Sequence, residues 1–323
     1  MPHAIRVEAY GGPEVMRWAE VEAPEPAEGE VTVRQTAVGV NFIDVYQRAG
    51  LYPLDLPFVP GSEAAGVVES LGPAVSELKV GDRVVYQGVN GAYTEVRAAP
   101  VARLVRIPDE IDDRTAAAAL LKGVTAYYLL HRTFKIGRGR TVLFHAAAGG
   151  VGSIACQWAK ALGATVIGTV GSADKMALAR SNGCAEVINY RSEDFVARVR
   201  DITAGAGVDV VYDSVGKDTF PGSLDCLKPL GMWVSFGQSS GLPPPFQTSL
   251  LQQKGSLFAT RPTTAHYFAK RADLEQASGA LFDVIRDGTV KVAVGQTFPL
   301  TAAADAHRAL ESRATTGSIV LLP

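Results

Sequence analysis

Residues 141–164, TVLFHAAAGGVGSIACQWAKALGA, constrain the fold more than any other stretch of the chain. An apolar β run ends at His145 and small residues follow. Val151, Ile154, Ala155, Trp158 and Leu162 then recur at helical spacing until Gly163 stops the helix. A strand, a tight turn and an amphipathic helix in direct succession form the first half of a parallel βαβ unit. Setting the fingerprint G-x-G-x-x-G on the turn places Ala147, Gly149 and Gly152 at its three glycine positions, with Ala in the first. Gly149 lets the backbone approach a pyrophosphate, and Gly152 lets the helix pack on its strand. The N–H groups near Gly150 and Val151 face an anion at the helix N-terminus. A glycine cluster alone is often only a turn, so the flanking strand and helix, and the units after them, carry the nucleotide reading.

Those units are plain. The runs ATVIGTV, AEVINY, VDVVYDSV, MWVSFG and SLFAT read as further strands, and GSIACQWAKAL, ADKMALARSN, EDFVARVRDIT and PGSLDCLKPL read as helices between them. Alternation of this kind predicts a doubly wound parallel sheet. Before about residue 120 the rhythm differs: short β-branched runs such as EVTVRQTAVGV, AAGVVESLG and DRVVYQG are separated by Gly and Pro, which predicts an antiparallel β-rich domain. After residue 263 a helix, a strand-like GQTFPL, a short helix and GSIVLLP follow, and the last can return to complete the first domain. A chain of 323 residues exceeds what one core usually serves. We therefore expect an α/β protein with a β-rich domain over 1–122 and 264–323 and a nucleotide domain over 123–263.

A formal net charge of -2 creates no field that would draw nucleic acid or an anionic membrane. Small-molecule partners are expected. The N-terminal MPHAIRVEAYGG lacks a signal-peptide pattern and no long apolar run occurs, so a cytoplasmic location is expected. Cys156, Cys184 and Cys226 form no C-x-x-C pair and read as small buried hydrophobes.

About 20 residues after the glycine loop, at the end of the second strand, an acidic residue would accept hydrogen bonds from a ribose 2′-OH. The chain has VGSADK there. Gly171 and Ser172 make the turn, Asp174 is one residue off, and Lys175 sits where it can meet a 2′-phosphate. The bland alternative is a solvated helix lysine.

The segments GVNFIDVYQRAGLYP, PGSEAAGVV, KVGDRVVY, HAAAGGVGSIACQWAKALGA, VINYRSEDF, VVYDSVG, VSFGQSSG and ATRP resemble the medium-chain dehydrogenase/reductase superfamily. Within it the similarity is to the zinc-free NADPH:quinone oxidoreductases of the zeta-crystallin type. The resemblance runs nearly end to end. It implies a GroES-like catalytic domain, a Rossmann domain, NADPH as cofactor and a homodimer. Carried over position by position, it puts Asn41 and Thr125 near the nicotinamide, Gly150 and Val151 on the pyrophosphate, and Ser172, Lys175 and Tyr190 at the 2′-phosphate and its ribose. Ser214 falls near the adenosine, Phe236 and Ser239 line the cleft, Thr260 and Arg261 approach the nicotinamide end, and Arg313 reaches the cofactor from the C-terminal return.

Where zinc alcohol dehydrogenases carry Cys, His and Cys as metal ligands, this chain has Asn41, Ser62 and Lys122. None suits zinc in that set, so no metal is expected. The proton-relay positions hold Ile43 and Tyr46, and Asp44 and Glu63 persist as carboxylates that brace the loops. Oxidising an alcohol requires a Lewis acid or a strong relay to stabilise an alkoxide. A quinone that accepts a hydride becomes a resonance-stabilised phenolate, for which hydrogen-bond donors suffice. Asn41, Tyr46, Tyr52 and Lys122 are the candidate donors, although Asn41 fits a cofactor-orienting amide equally well, the tyrosines can serve as flat apolar walls, and Lys122 can point to solvent.

The expected activity is NADPH-dependent reduction of quinones by hydride or single-electron transfer. Reduction of α,β-unsaturated aldehydes or ketones on the same fold is the close alternative. A structural or RNA-binding role lacks the basic stripe with interleaved aromatics that it would need.

Overall fold

A computed structural model describes residues 1–313 and 315–323. The chain divides into two units. The first is Met1–Val124 with Ala269–Arg286 and Val292–Pro323, and the second is Thr125–Phe268 with Asp287–Lys291. The turn at 287–291, which the sequence left with the C-terminal return, joins the second unit because Gln157 exchanges hydrogen bonds of 3.1 and 3.0 Å with the backbone of Lys291.

The N-terminal part supplies strands β1 (His3–Val7), β2 (Met16–Glu20), β3 (Glu30–Val40), β4 (Glu63–Leu71), β5 (Arg83–Gln87), β6 (Val96–Pro100) and β7 (Leu104–Arg106). It also forms helices α1 (Phe42–Arg48) and α2 (Asp113–Tyr128). Then come β8 (Thr141–Phe144), α3 (Gly150–Ala161), β9 (Thr165–Val170), α4 (Asp174–Ser181), β10 (Glu186–Asn189), α5 (Phe195–Ile202), β11 (Val208–Asp213), α6 (Gly222–Asp225), β12 (Leu227–Ser235), α7 (Ser249–Gln253), β13 (Phe258–Thr260) and α8 (Thr264–Tyr267). The return is α9 (Arg271–Arg286), β14 (Val294–Pro299), α10 (Ala303–Glu311) and β15 (Ser318–Leu322).

In the first unit a sheet runs β14-β15-β3-β4-β5-β7, with β6 also on β3, and all its pairings are antiparallel except β14 with β15. Val31, Val33, Val38, Val84, Tyr86, Ile319 and Leu321 are among the buried residues of its core. The expected return is present: β15 pairs with β3 from Ile319 opposite Val40 to Leu321 opposite Val38. In the second unit six parallel strands run β10-β9-β8-β11-β12-β13, so the α/β reading holds.

Two local features depart from the sequence reading. PGSLDCLKPL, read as a helix, keeps only the four residues of α6 before β12 begins at Leu227. Pro229 cannot donate inside a helix and Leu230 takes a left-handed φ of 62°, so the segment extends instead. The sixteen-residue α2 carries no expectation from the sequence at all. Ala116, Ala117, Ala118, Ala119 and Leu120 are all buried there, so the helix lacks the polar face that would mark its period.

Candidate nucleotide and acceptor sites

The strand order of the second unit reverses between β8 and β11, and such a switch point opens a crevice at the carboxyl ends of the strands. The glycine loop leaves β8 at that point. Ala146 adopts φ 55°, making the turn that a first glycine would make, and the Ala147 N–H donates to Thr169 O at 3.0 Å. A Cβ on Gly152 would lie 2.4 Å from Ala146 O and 2.8 Å from Ala147 Cα, so α3 packs here only because residue 152 has no side chain. Gly149 caps α3, and Ser153 N–H reaches back to Gly149 O at 2.8 Å. The amides of Gly150, Val151 and Gly152 come before it and have no carbonyl within the helix to reach. Three N–H groups at the positive end of a helix dipole fit a pyrophosphate.

The turn after β9 gathers the residues expected at a 2′-phosphate. Lys175 N–H donates to Ser172 O at 3.3 Å, and Tyr190 N–H donates to Val170 O at 3.2 Å. A Cβ on Gly171 would meet Tyr190 Oη at 2.7 Å, so the phenol lies directly over this turn. Lys175 is half-buried. Burial, and after it the charge of Arg191, hold its ammonium below the usual lysine range. Arg191 was missed in the sequence; its only signal is a cation following Tyr190. Two neighbouring cations, one from the start of α4 and one from the segment after β10, suit a phosphate rather than a bare hydroxyl.

Asp213, buried at the end of β11, fixes the next loop. It accepts Val215 N–H at 2.8 Å, Gly216 N–H at 3.1 Å, both Thr219 Oγ1 and Ser223 Oγ at 2.8 Å, and Trp233 Nε1 at 3.2 Å. Ser239 N–H donates to Ser214 O at 3.0 Å and Phe236 N–H to Asp213 O at 2.8 Å, so the loops after β11 and β12 lie together. Arg261, which follows Thr260 and β13, donates to Ser235 O and Oγ, Gly237 O and Gln238 Oε1 at 2.8 to 3.2 Å. Its guanidinium clasps the loop that carries Phe236 and Ser239. Thr125 is buried and hydrogen-bonds Tyr128. Arg313 belongs to the first unit, where it follows α10 with φ 57°.

Two of the acceptor candidates of the first unit, Asn41 and Lys122, meet on buried carboxylates. One oxygen of Glu63 accepts Asn41 Nδ2 at 3.0 Å and Lys122 Nζ at 3.1 Å, while the other accepts the Leu121 N–H. A Cβ on Gly39 would lie 2.5 Å from that shared oxygen, so β3 has to be bare at this point. Asp44 accepts Asn41 N–H at 2.9 Å, Ser62 Oγ at 2.8 Å and Tyr93 Oη at 3.2 Å. Burial raises its pKa to about 6, against the pull of those donors and of Lys122. Lys122 does not point to solvent: its side chain is 6% exposed. Tyr46 and Tyr52 stand edge to face with centroids 5.5 Å apart, and Phe42 flanks Tyr46 at 6.0 Å. The two carboxylates thus organise the candidate site rather than merely bracing loops.

Two family profiles match the chain: an alcohol dehydrogenase GroES-like domain over residues 27–109 and a zinc-binding dehydrogenase over residues 150–279. The quinone oxidoreductase of Salmonella typhimurium is 51% identical over 100% of both chains. The chain belongs to the quinone oxidoreductase family of the medium-chain dehydrogenase/reductase superfamily. Its fold matches the crystal structure of the Escherichia coli quinone oxidoreductase complexed with NADPH, with a TM-score of 0.98 and 50% identity over 99% of this chain and 100% of that one. The 2-haloacrylate reductase of a Burkholderia species is 47% identical over 100% of this chain and 99% of the relative.

The zinc in one family's description does not fit here. Asn41 and Lys122 both turn N–H donors onto Glu63, so an ammonium already satisfies the carboxylate that a cation would seek. No thiolate or imidazole accompanies them at position 62.

Proposed function

We propose that the protein reduces quinones with NADPH, by hydride transfer and without a metal. The observation that carries this reading is the Glu63-centred set of donors, Asn41 and Lys122, in place of metal ligands. Bound NADPH supplies the hydride. Lys122 holds two further protons beside the one it gives Glu63, and these can meet negative charge that grows on an acceptor oxygen; the Asn41 amide donates to Glu63 at 3.0 Å and to Gly39 O at 3.4 Å and so helps hold the site in place. Tyr46 and Tyr52 give flat ring walls, with Tyr52 37% exposed. In the second unit the amides of Gly150 and Val151, with Ser172, Lys175, Tyr190 and Arg191, bind the cofactor phosphates. Ser214, Phe236, Ser239 and Thr260 line its path.

A second reading, reduction of the double bond in α,β-unsaturated carbonyls, is favoured by the similarity to the 2-haloacrylate reductase. Steady-state rates over a quinone and an enone panel, with NADPH deuterated at the nicotinamide C4, separate the two. We expect faster turnover of quinones and a primary isotope effect. Tyr52→Phe is expected to lower kcat/KM for the acceptor about tenfold, the loss of one hydrogen bond in the transition state, with NADPH affinity unchanged. Faster enones would favour the second reading, and rates without an isotope effect would remove hydride transfer as the slow step.

A homodimer is part of the proposal. Strand β13 is the edge of its sheet and carries Phe258 56% exposed, an open strand that a second copy would cover. Light scattering at micromolar protein should give twice the chain mass; a monomer would remove this part. Three free buried cysteines support a cytoplasmic, reducing location. Disulfides in protein extracted under thiol-blocking conditions would count against it.

A further inference from the structure

The first unit contains a buried polar chain that the proposed reaction leaves unused. Arg48, 2% exposed at the end of α1, lies 3.2 Å from His307 Nδ1 through Nη1 and grips Glu311 at 3.0 and 2.9 Å. A guanidinium can only donate, so His307 Nδ1 is the acceptor. Burial, with the Arg48 charge second, pushes His307 down to about 3, so the ring is neutral and its single proton is on Nε2. Nε2 is 2.9 Å from Tyr93 Oη, which therefore accepts there and gives its own proton to Asp44 Oδ2 at 3.2 Å. From Arg48 onward every hydrogen points one way, through His307 and Tyr93 to Asp44, while Arg48 also donates outward to the partly exposed Glu311.

We propose that Arg48, His307 and Tyr93 are positioning residues of the acceptor site. They fix Asp44 as an ionised acceptor, and through it the Ser62 hydroxyl and the Asn41 backbone. The inference rests on the acceptor-site reading given above. If Asp44 takes up a proton it must donate one, and the hydrogen-bond direction at Ser62 or Tyr93 has to reverse. The groups facing Asp44 are Asn41 of the α1 cap, Ser62, Tyr93 and Lys122 of α2, with Glu63 of β4 and Arg48 next to them in the network.

The sign of the pH effect follows. Burial pushes the Asp44 pKa up to about 6 from the 3.8 of a free aspartate, so the ionised network is complete only above about pH 6. Its contribution to stability runs the opposite way, being fully present below 3.8 and lost as pH rises through about 6. Removing the Tyr93 donor, which lowers the Asp44 pKa, should move the acid limb of activity upward.

The test compares His307→Gln, His307→Leu and Tyr93→Phe. A glutamine amide accepts from Arg48 and donates to Tyr93, so His307→Gln should keep kcat/KM for the quinone within about twofold. His307→Leu and Tyr93→Phe should lower it about tenfold, leave NADPH affinity unchanged and shift the acid limb above that of the wild type. The Asp44 carboxyl, followed by 13C NMR without substrate, should titrate higher in both. Wild-type kcat/KM and an unmoved Asp44 titration in Tyr93→Phe would overturn the proposal, as would a Gln variant as impaired as the Leu variant. If His307→Leu does not fold, Tyr93→Phe decides alone. Failure of the wild type to reduce any quinone or enone would sink the functional reading instead, since the carboxyl titration is read without turnover.

Discussion

Replacing Lys175 by Ala is expected to weaken NADPH binding by about tenfold to hundredfold while leaving NADH affinity nearly unchanged. A charge-assisted hydrogen bond to phosphate contributes about 1.5 to 3 kcal/mol, and only the phosphorylated cofactor offers the partner. Burial and the Arg191 charge both disfavour the lysine ammonium, an arrangement that a phosphate dianion relieves. Arg191→Ala should therefore produce a loss of the same kind, and the double variant should bind NADPH no better than NADH. Calorimetric titration of both cofactors decides this. Equal affinities in the wild type, or equal losses for both cofactors in Lys175→Ala, would mean that the turn after β9 does not read the 2′-position.

The second large effect is expected at Glu63. With Asn41, Lys122 and the Leu121 amide all donating to a fully buried carboxylate, Glu63→Gln strands the Lys122 ammonium without its hydrogen-bonded anion. Breaking one side of a buried pair costs about 3 to 5 kcal/mol, and Lys122→Met should cost as much from the other side by orphaning the carboxylate. The double variant Glu63→Gln/Lys122→Met should recover most of the stability, because no uncompensated charge remains. Urea midpoints of the four proteins measure the coupling. If Lys122 also meets the acceptor oxygen, quinone turnover stays low in the double variant even though the fold is restored. Additive stability losses would show that the pair is not coupled. Restored stability accompanied by restored turnover would show that Lys122 acts only on Glu63.

What the sequence disclosed depended on how local each signal was. The β8 turn and α3 were legible because strand, small residues and helical periodicity are contiguous, and the fingerprint tolerated Ala147 because Ala146 supplies the left-handed turn. The parallel sheet followed from alternation alone. Helix α2 was illegible because its alanine-rich run is buried where polar residues would otherwise mark the period. In α6 and β12 the apolar spacing suggested a helix, but Pro229 and the pairing with β11 prevailed.

The candidate site was read unevenly for the same reason. Asn41, Tyr46 and Tyr52 fall within one segment, and a resemblance could mark Lys122. Arg48 and His307, however, are 259 positions apart, and Tyr93 and His307 are 214 apart. No window of sequence connects such partners. The weight of Asp44 and Glu63 was underestimated because a carboxylate's importance lies in its donors, and here those come from several elements.

The position of β15 bears on how the molecule is made. It sits between β14 and β3 in the interior of its sheet, and it pairs Ile319 with Val40. On the ribosome β3 is complete long before its neighbour exists. The strands of the second unit, by contrast, all lie between Thr141 and Thr260, so that unit has its whole sheet in hand first. The unit that holds β3 is thus completed after the unit whose strands lie between Thr141 and Thr260. Through most of translation β3 lacks its β15 neighbour, exposed to other chains until the final strand emerges.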